Sequence, residues 1–239
     1  ERDERTIVNL LTDQIEFANV IILNKTDLVS EHQKMELIAI LKKLNPAAKI
    51  VESIFGKVAT SEILNTGMFD FEQAEQAAGW IKELENEHIP ETEEYGISSF
   101  VFRSNRPFHP ERFWNYLSHH WYDGIIRSKG LFWLATRPDA AVNWSQAGGS
   151  LRAEPAGVWW VSMPFSERIK YASFIDNKDF IESNWTKEFG DRKNELVFIG
   201  QDLDNDKIIA DLENCLCSDI EWHQAQNGVK FIDPFPKWN

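Results

Sequence analysis

Three polar residues directly after a short apolar run have the types and spacing needed to read a purine base. The apolar run Val20–Leu23 predicts a buried strand, and Asn24, Lys25 and Asp27 follow it. An Asp carboxylate accepts two hydrogen bonds from the N1–H and exocyclic amine of guanine, a donor pair that adenine lacks. We therefore expect Asp27 to select guanine, Asn24 to hold the loop and contact the ring edge, and the Lys25 stem to lie along the purine face. The alternative is a polar turn without a ligand.

The segments around this loop predict a strand-helix-strand unit preceded by a helix. Apolar spacing predicts helices over Thr6–Glu16 and Glu31–Leu44, and a second strand over Lys49–Ile54. Such a unit has parallel strands, and open α/β sheets bind ligands at the carboxyl edge of their strands. These sheets normally have about five or six strands, so we expect the first domain to be incomplete here, with Glu1 inside it.

The remainder of the chain predicts an α+β domain whose sheet carries helices on one face. It follows an acidic, helical linker at residues 69–94 and occupies residues 95–239. Patterning predicts strands over Ile97–Arg103, Gly130–Thr136, Val142–Leu151 and Glu195–Ile199, and helices over Pro110–Trp121 and Asp204–Leu216.

Composition excludes several classes of partner. With 38 acidic and 25 basic residues the formal charge is −13, which disfavours nucleic acid and anionic lipid. The longest apolar runs are too short to cross a bilayer. Cys215 and Cys217 are too close together to form a disulfide framework, so we expect a reducing, cytoplasmic location.

Several blocks of the sequence resemble the CobW family of GTPases. The segment around the base-reading loop is LLTDQIEFANVIILNKTDLV. The blocks that resemble the C-terminal domain and tail of that family are YGISSFVFRSNRPFHPERFWNYL, RSKGLFWLATRPD, GDRKNELVFIGQDLD and DPFPKW. The resemblance covers nearly the whole chain.

This resemblance implies a GTP-dependent metal chaperone, with zinc as the expected cargo, that delivers metal to a client protein. Residues 1–68 would be the end of the GTPase domain, a partial P-loop sheet of the α/β class, and residues 95–239 a C-terminal domain for regulation or client docking. In the position of the last base-contacting loop stand Lys57 and Val58.

Family members hold phosphates with a Gly-rich loop ending in Lys-Thr and metal with a Cys-x-Cys-Cys segment. The sequence contains neither. Because phosphoryl transfer depends on that loop and its magnesium ion, we expect no catalytic residue in this chain and no GTP hydrolysis by it alone. Its expected partners include the missing N-terminal GTPase segment.

Metal ligands within the chain are harder to assign. His109 and the pair His119 and His120 are polar candidates, the pair for a surface zinc site, although a helix C-terminus favours histidine without any metal. Cys215 and Cys217 would diverge by about 200° on a helix, which favours buried structural thiols. We therefore assign no metal ligand from the sequence.

A group of basic residues near the start of the second domain offers a docking face for a client or for the GTPase domain, or else a solvated edge. It comprises Arg103, Arg106, Arg112, Arg127 and Lys129. The alternative function is accordingly a protein-interaction module that needs no nucleotide.

Overall fold

The structure is a computed structural model that describes residues 6–69, 79–84 and 95–238. Its helices are α1 Ile7–Phe17, α2 Glu31–Leu44, α3 Gly79–Leu84, α4 Pro110–His119, α5 Phe165–Arg168, α6 Ala172–Asp176, α7 Lys178–Ser183, α8 Asn205–Cys215 and α9 Asp219–Gln226. Its strands are β1 Val20–Asn24, β2 Lys49–Ser53, β3 Ile97–Ser104, β4 Ile125–Phe132, β5 Ala140–Ala147, β6 Ser150–Val158 and β7 Asn194–Gln201. Of the predicted linker 69–94, only Phe69 and α3 are described, and the rest lies outside the described residues.

The N-terminal segment contains the predicted parallel unit. β1 and β2 pair in parallel from Val20 opposite Lys49 to Asn24 opposite Ser53, and α2 connects them. Ser30 and Gln33 form a reciprocal capping box at the start of α2, which satisfies backbone donors that the helix leaves unpaired. The prediction of a strand-helix-strand unit is confirmed.

Asn45 connects the ends of the two long N-terminal helices. This fully buried residue follows α2, and its side-chain nitrogen donates to the carbonyl oxygens of Ile15 at 2.9 Å and Ala18 at 2.8 Å. These carbonyls lie at the end of α1, where regular helical hydrogen bonding stops, and the Ile15 carbonyl also accepts from the Ala18 N–H at 3.3 Å. Asn45 therefore fixes the end of α1 against α2.

The C-terminal domain is built on one antiparallel sheet of five strands in the order β3-β7-β4-β5-β6. The predicted strand Val142–Leu151 is wrong: the chain forms β5 and β6, joined by a turn at Gly148, whose φ of 51° is a backbone conformation that favours glycine. The predicted strand Gly130–Thr136 is displaced, because β4 begins at Ile125.

One face of this sheet carries α4 and α8, as predicted. The core on that face contains Phe113, Tyr116 and Leu117 of α4 and Ile208 and Leu212 of α8. They pack with aromatic residues of the sheet, Phe102, Phe132, Trp144 and Phe198. Large rings therefore fill the core, as the aromatic content of the chain requires.

The opposite face of the sheet is covered by the N-terminal segment and α3. Leu44 is buried in one cluster with Val197 and Ile199 of β7. Hydrophobic residues from α1, α2, α3 and β3 pack against that cluster, namely Ile15, Ile40, Trp80, Leu84 and Val101. The N-terminal segment, residues 6–69, and the C-terminal sheet therefore share a hydrophobic core.

Candidate guanine-binding site

The base-reading loop occupies the short connection between β1 and α2. Asn24 is the last residue of β1, and Lys25 has a left-handed backbone with φ of 62°. A single 3-10 turn over Thr26–Leu28 follows, in which the Leu28 N–H donates to the Lys25 carbonyl at 3.0 Å. The loop is thus held between a strand and a capped helix, at the carboxyl edge of the parallel pair.

A second loop lies against the first. The Gly56 N–H donates to Oδ1 of Asn24 at 3.0 Å, and Oγ1 of Thr26 donates to the Ser53 carbonyl at 3.3 Å. Gly56 has φ of 67°, which turns the chain directly after β2. Asn24 therefore holds the neighbouring loop and places the segment containing Lys57 and Val58 beside the base-reading loop. The contact of Asn24 with the ring edge stays a prediction. A base contact by Lys57 or Val58 stays a prediction.

The two charged residues predicted to contact the base are open to solvent. Lys25 and Asp27 are exposed, and neither has a hydrogen-bond or ion partner within the described parts of the chain. An exposed, unpaired carboxylate keeps its acceptor oxygens available for a ligand. This arrangement can accept the two donors on the Watson-Crick edge of guanine, while Lys25 can cover a ring face.

The phosphate and magnesium part of a nucleotide site is not provided by these residues. The 239-residue sequence has no Gly-x-x-x-x-Gly-Lys-Ser/Thr segment, whose backbone N–H groups and hydroxyl hold phosphate and magnesium. A base contact by Asp27 stays a prediction. The residues present do not fit a magnesium site, so no hydrolytic step follows from them.

The two histidines proposed as zinc ligands lie at the end of α4. His119 is its last residue and His120 its C-cap; both are exposed, and their ring centroids are 6.4 Å apart. Across residues 6–69, 79–84 and 95–238, no group of three or more His, Cys, Asp or Glu is arranged to hold a metal ion. Zinc binding at this pair stays a prediction.

His109 has a structural setting instead. It is the N-cap of α4, it is 8% exposed, and its ring centroid lies 4.7 Å from that of Phe231. Burial lowers the pKa of His109, with a further decrease from the charge of Arg112. The imidazole is therefore neutral at pH 7 and packs against an aromatic ring.

The cysteines are buried free thiols. Cys215 ends α8, whereas Cys217 lies beyond the helix, so the prediction that both lie on one helix is wrong. The helix stops because Leu216 has an extended backbone. Burial raises the pKa of each thiol to about 12, which keeps both protonated and unreactive.

Two members of the basic group contact the N-terminal segment. The Nε and Nη2 atoms of Arg127 donate to the two carboxylate oxygens of Glu16 at 2.6 and 3.0 Å, and Nζ of Lys129 donates to Glu16 at 3.1 Å. Arg127 and Glu16 are both 0% exposed. Arg127 and Lys129 therefore contact helix α1 of the N-terminal segment and do not form a solvated edge.

The other three basic residues make contacts inside the C-terminal domain or with α3. Arg112 forms a bidentate pair with Glu221 at 2.6 and 2.8 Å, and Arg106 pairs with Asp219. Arg103 pairs with Glu195 and donates to the Leu84 carbonyl. These ion pairs occupy the charged groups that a client surface would otherwise meet.

The contacts of Glu16 and Asp13 with the C-terminal sheet are not predicted by the sequence pattern. The two residues lie three residues apart on α1, so they share a helix face, and Asp13 lies 3.1 Å from Nη2 of Arg127. The available signal was a pair of acidic residues on a helix that is otherwise strongly apolar.

Comparison with known proteins finds two family matches along the chain. Residues 97–216, half of the sequence, match the family described as cobalamin synthesis protein cobW C-terminal domain. Residues 1–52 match the CobW/HypB/UreG nucleotide-binding domain.

Two curated relatives carry descriptions of metal handling. A zinc-regulated GTPase metalloprotein activator of Dictyostelium discoideum is 42% identical over 224 residues, which cover 92% of this chain and 46% of the relative. A zinc chaperone of Mycobacterium tuberculosis is 29% identical over 242 residues, which cover 99% of this chain and 56% of the relative. The chain thus spans about half the length of these relatives.

Among solved structures, the Zn(II)-bound YjiA GTPase from E. coli is similar at 20% identity with a TM-score of 0.39, covering 86% of this chain and 54% of that one. The family assignment depends instead on the sequence match over residues 97–216. In the described parts of the chain, no helix is both long and apolar enough to cross a membrane. On these matches, the chain belongs to the CobW family.

Proposed function

We propose that the protein containing this chain is a GTP-dependent metal chaperone with zinc as cargo, which transfers metal to client proteins. Residues 1–68 supply the base-reading end of the GTPase domain, and residues 95–239 supply a C-terminal domain for regulation or client docking. The descriptions of the two curated relatives support zinc and a metalloprotein client. In this proposal, GTP and magnesium are bound by the intact protein.

The observation that carries the nucleotide part is the free carboxylate of Asp27 at the carboxyl edge of β1. Asn24 holds the neighbouring loop at 3.0 Å, so the two segments that follow the strands form one surface. Asp27 keeps both oxygens for the ligand. A polar turn without a ligand requires neither an unpaired carboxylate nor a fixed second loop.

The test is calorimetric titration of the intact protein with GDP and with ADP. Each hydrogen bond to a charged group contributes about 1.5–3 kcal/mol, so two of them predict at least about a hundredfold preference for GDP. Replacing Asp27→Asn removes most of that preference, whereas Glu31→Gln, which changes an exposed carboxylate in the first turn of α2, leaves it intact. Equal affinity for both nucleotides would favour the nucleotide-independent interaction module.

This chain alone lacks the phosphate-binding loop and is expected to release no phosphate from GTP. The prediction is checked by comparing the chain with the intact protein at equal concentration. Hydrolysis by the isolated chain would contradict the assignment of catalysis to the residues outside it.

A further inference from the structure

Helix α2 connects the base-reading loop to the C-terminal sheet. It begins four residues after Asp27, and the connection includes the N-cap Ser30. Four of its residues recur at intervals of four and therefore share one helix face. They are His32, Glu36, Ile40 and Leu44.

This helix face lies along β7. Ile40 and Leu44 pack in the cluster that contains Val197 and Ile199. Further towards the loop, Oε1 of Glu36 accepts a hydrogen bond from Nε2 of Gln201 at 2.6 Å. Residues 197, 199 and 201 alternate along the strand and so point to one face of the sheet. The helix and the strand therefore run side by side, and Gln201 marks the end nearest to Asp27.

The first turn of α2 has its own contact with the C-terminal domain. The ring of His32 lies edge-on to that of Tyr95, with centroids 5.9 Å apart. Nε2 of Gln201 also reaches the carbonyl of Tyr95 at 3.4 Å, and Gln201 pairs with Ile97 in the sheet. Gln201 thus joins α2, the start of β3 and the end of β7.

We propose that Gln201 and Tyr95 are positioning residues for guanine binding, acting on Asp27 through the first two turns of α2. The inference rests on the proposed guanine-binding function. Nucleotide binding at Asp27 orders the loop and the start of α2. The hydrogen bond from Gln201 to Glu36 connects α2 to the C-terminal sheet, so residues 95–97 and 200–202 become more ordered as well. Because coupling between two sites is reciprocal, the C-terminal domain also sets the affinity of the loop.

Docking and coupling depend on different contacts, which allows them to be separated. Ile40 and Leu44 bury apolar area on the sheet, and Arg127 with Glu16 anchors α1. Gln201 contributes one charge-assisted hydrogen bond to α2, close to the loop. Replacing Gln201 should therefore leave the N-terminal segment docked on the C-terminal domain and remove the coupling between nucleotide binding and that domain.

The experiment is hydrogen exchange of the intact protein, with and without saturating GDP, followed by mass spectrometry of peptides containing residues 95–97 and 200–202. In the wild type, GDP should slow exchange there by about fivefold, the lower end of usual coupling. In the Gln201→Ala variant, saturating GDP should still bind, with an affinity weakened by the same factor, and the slowing should vanish. A structural role alone would raise exchange equally in both states.

Two further variants sharpen the outcome. Gln201→Lys restores a donor for Glu36 and should recover the GDP-dependent slowing, while Gln224→Ala, at an exposed site on α9, should behave as wild type. If GDP binds but those amides do not respond, or if Gln201→Ala retains the response, the coupling is overturned and the proposed function stands. If the intact protein binds no guanine nucleotide, both are overturned.

Discussion

Arg127 and Glu16 form a bidentate ion pair between the C-terminal sheet and helix α1, with neither side chain exposed to solvent. Nη1 of Arg127 donates to Oγ of Ser145 at 3.1 Å, and Lys129 approaches the same carboxylate. Removing charges from water is costly unless each is paired and hydrogen-bonded. The pairing therefore fixes one arrangement of helix α1 on the sheet.

Arg127→Met should strongly destabilise the protein, because it leaves the buried Glu16 carboxylate without its principal partner. We expect a loss of about 3–5 kcal/mol in the free energy of unfolding, measured from urea denaturation. Arg103→Met is the matched control, since the side chain of Arg103 is 43% exposed in its pair with Glu195. It should cost about 1 kcal/mol or less.

The double variant Glu16→Leu with Arg127→Met separates pairing from packing. Replacing both charges by apolar groups removes the uncompensated carboxylate, so stability should recover well above that of Arg127→Met. Equal losses in the free energy of unfolding for Arg127→Met and Arg103→Met would show that the buried pair contributes no more to stability than the exposed pair.

Stability at acid pH should depend on Glu221. The side-chain hydrogen bonds from Arg112 lower the pKa of Glu221 to about 2, and Ser218 contributes further. Because the folded pKa is below the unfolded value of about 4.3, this contribution is present above pH 4.3 and is lost as the pH falls towards 2.

Urea denaturation at pH 7 and pH 3 checks this sign. The wild type should lose more stability between the two pH values than Glu221→Gln, which carries no titrating group at that position. Glu111→Gln, at an exposed site on α4, should follow the wild type. A Glu221→Gln variant with undiminished acid sensitivity would refute the assignment.

Both thiols should be inert in the folded protein. Cys215 and Cys217 are 5% and 2% exposed, and burial raises the pKa of each to about 12. At pH 8 the thiolate fraction is then about one in ten thousand, and the thiolate is the reactive form. A disulfide reagent should label neither thiol natively and both in urea. Rapid native labelling would show that these side chains are accessible.

The sequence predicted the N-terminal unit well because its local signals agree. An apolar run, a polar loop and the Ser30 capping signal define β1 and α2. Roles for Asn24 and Asp27 could be predicted from chemistry, since a strand end places them at the ligand edge of a sheet, and these roles stay predictions. The contact between Asn24 and Gly56 needs the parallel register, which the sequence pattern does not specify.

The position of β4 could not be predicted because its polar residues are buried by distant partners. Arg127, Ser128 and Lys129 give the strand a surface-like pattern, yet Arg127 is fully buried by Glu16, more than a hundred residues earlier. Trp144 similarly donates to Ser128 at 2.9 Å. Hydrophobic periodicity predicts which positions are buried only where the buried residues are apolar.

Base selection by Asp27 is the central claim, and a comparison of the affinities for guanine and xanthine nucleotides tests it most directly. Xanthine carries a carbonyl where guanine carries the exocyclic amine, so a carboxylate suits guanine and an amide nitrogen suits xanthine. We predict that the intact wild-type protein binds GDP more tightly than xanthosine diphosphate, and that Asp27→Asn reverses this order in the same calorimetric titration. An unchanged preference in Asp27→Asn would contradict the assignment of Asp27 as the residue that reads the base.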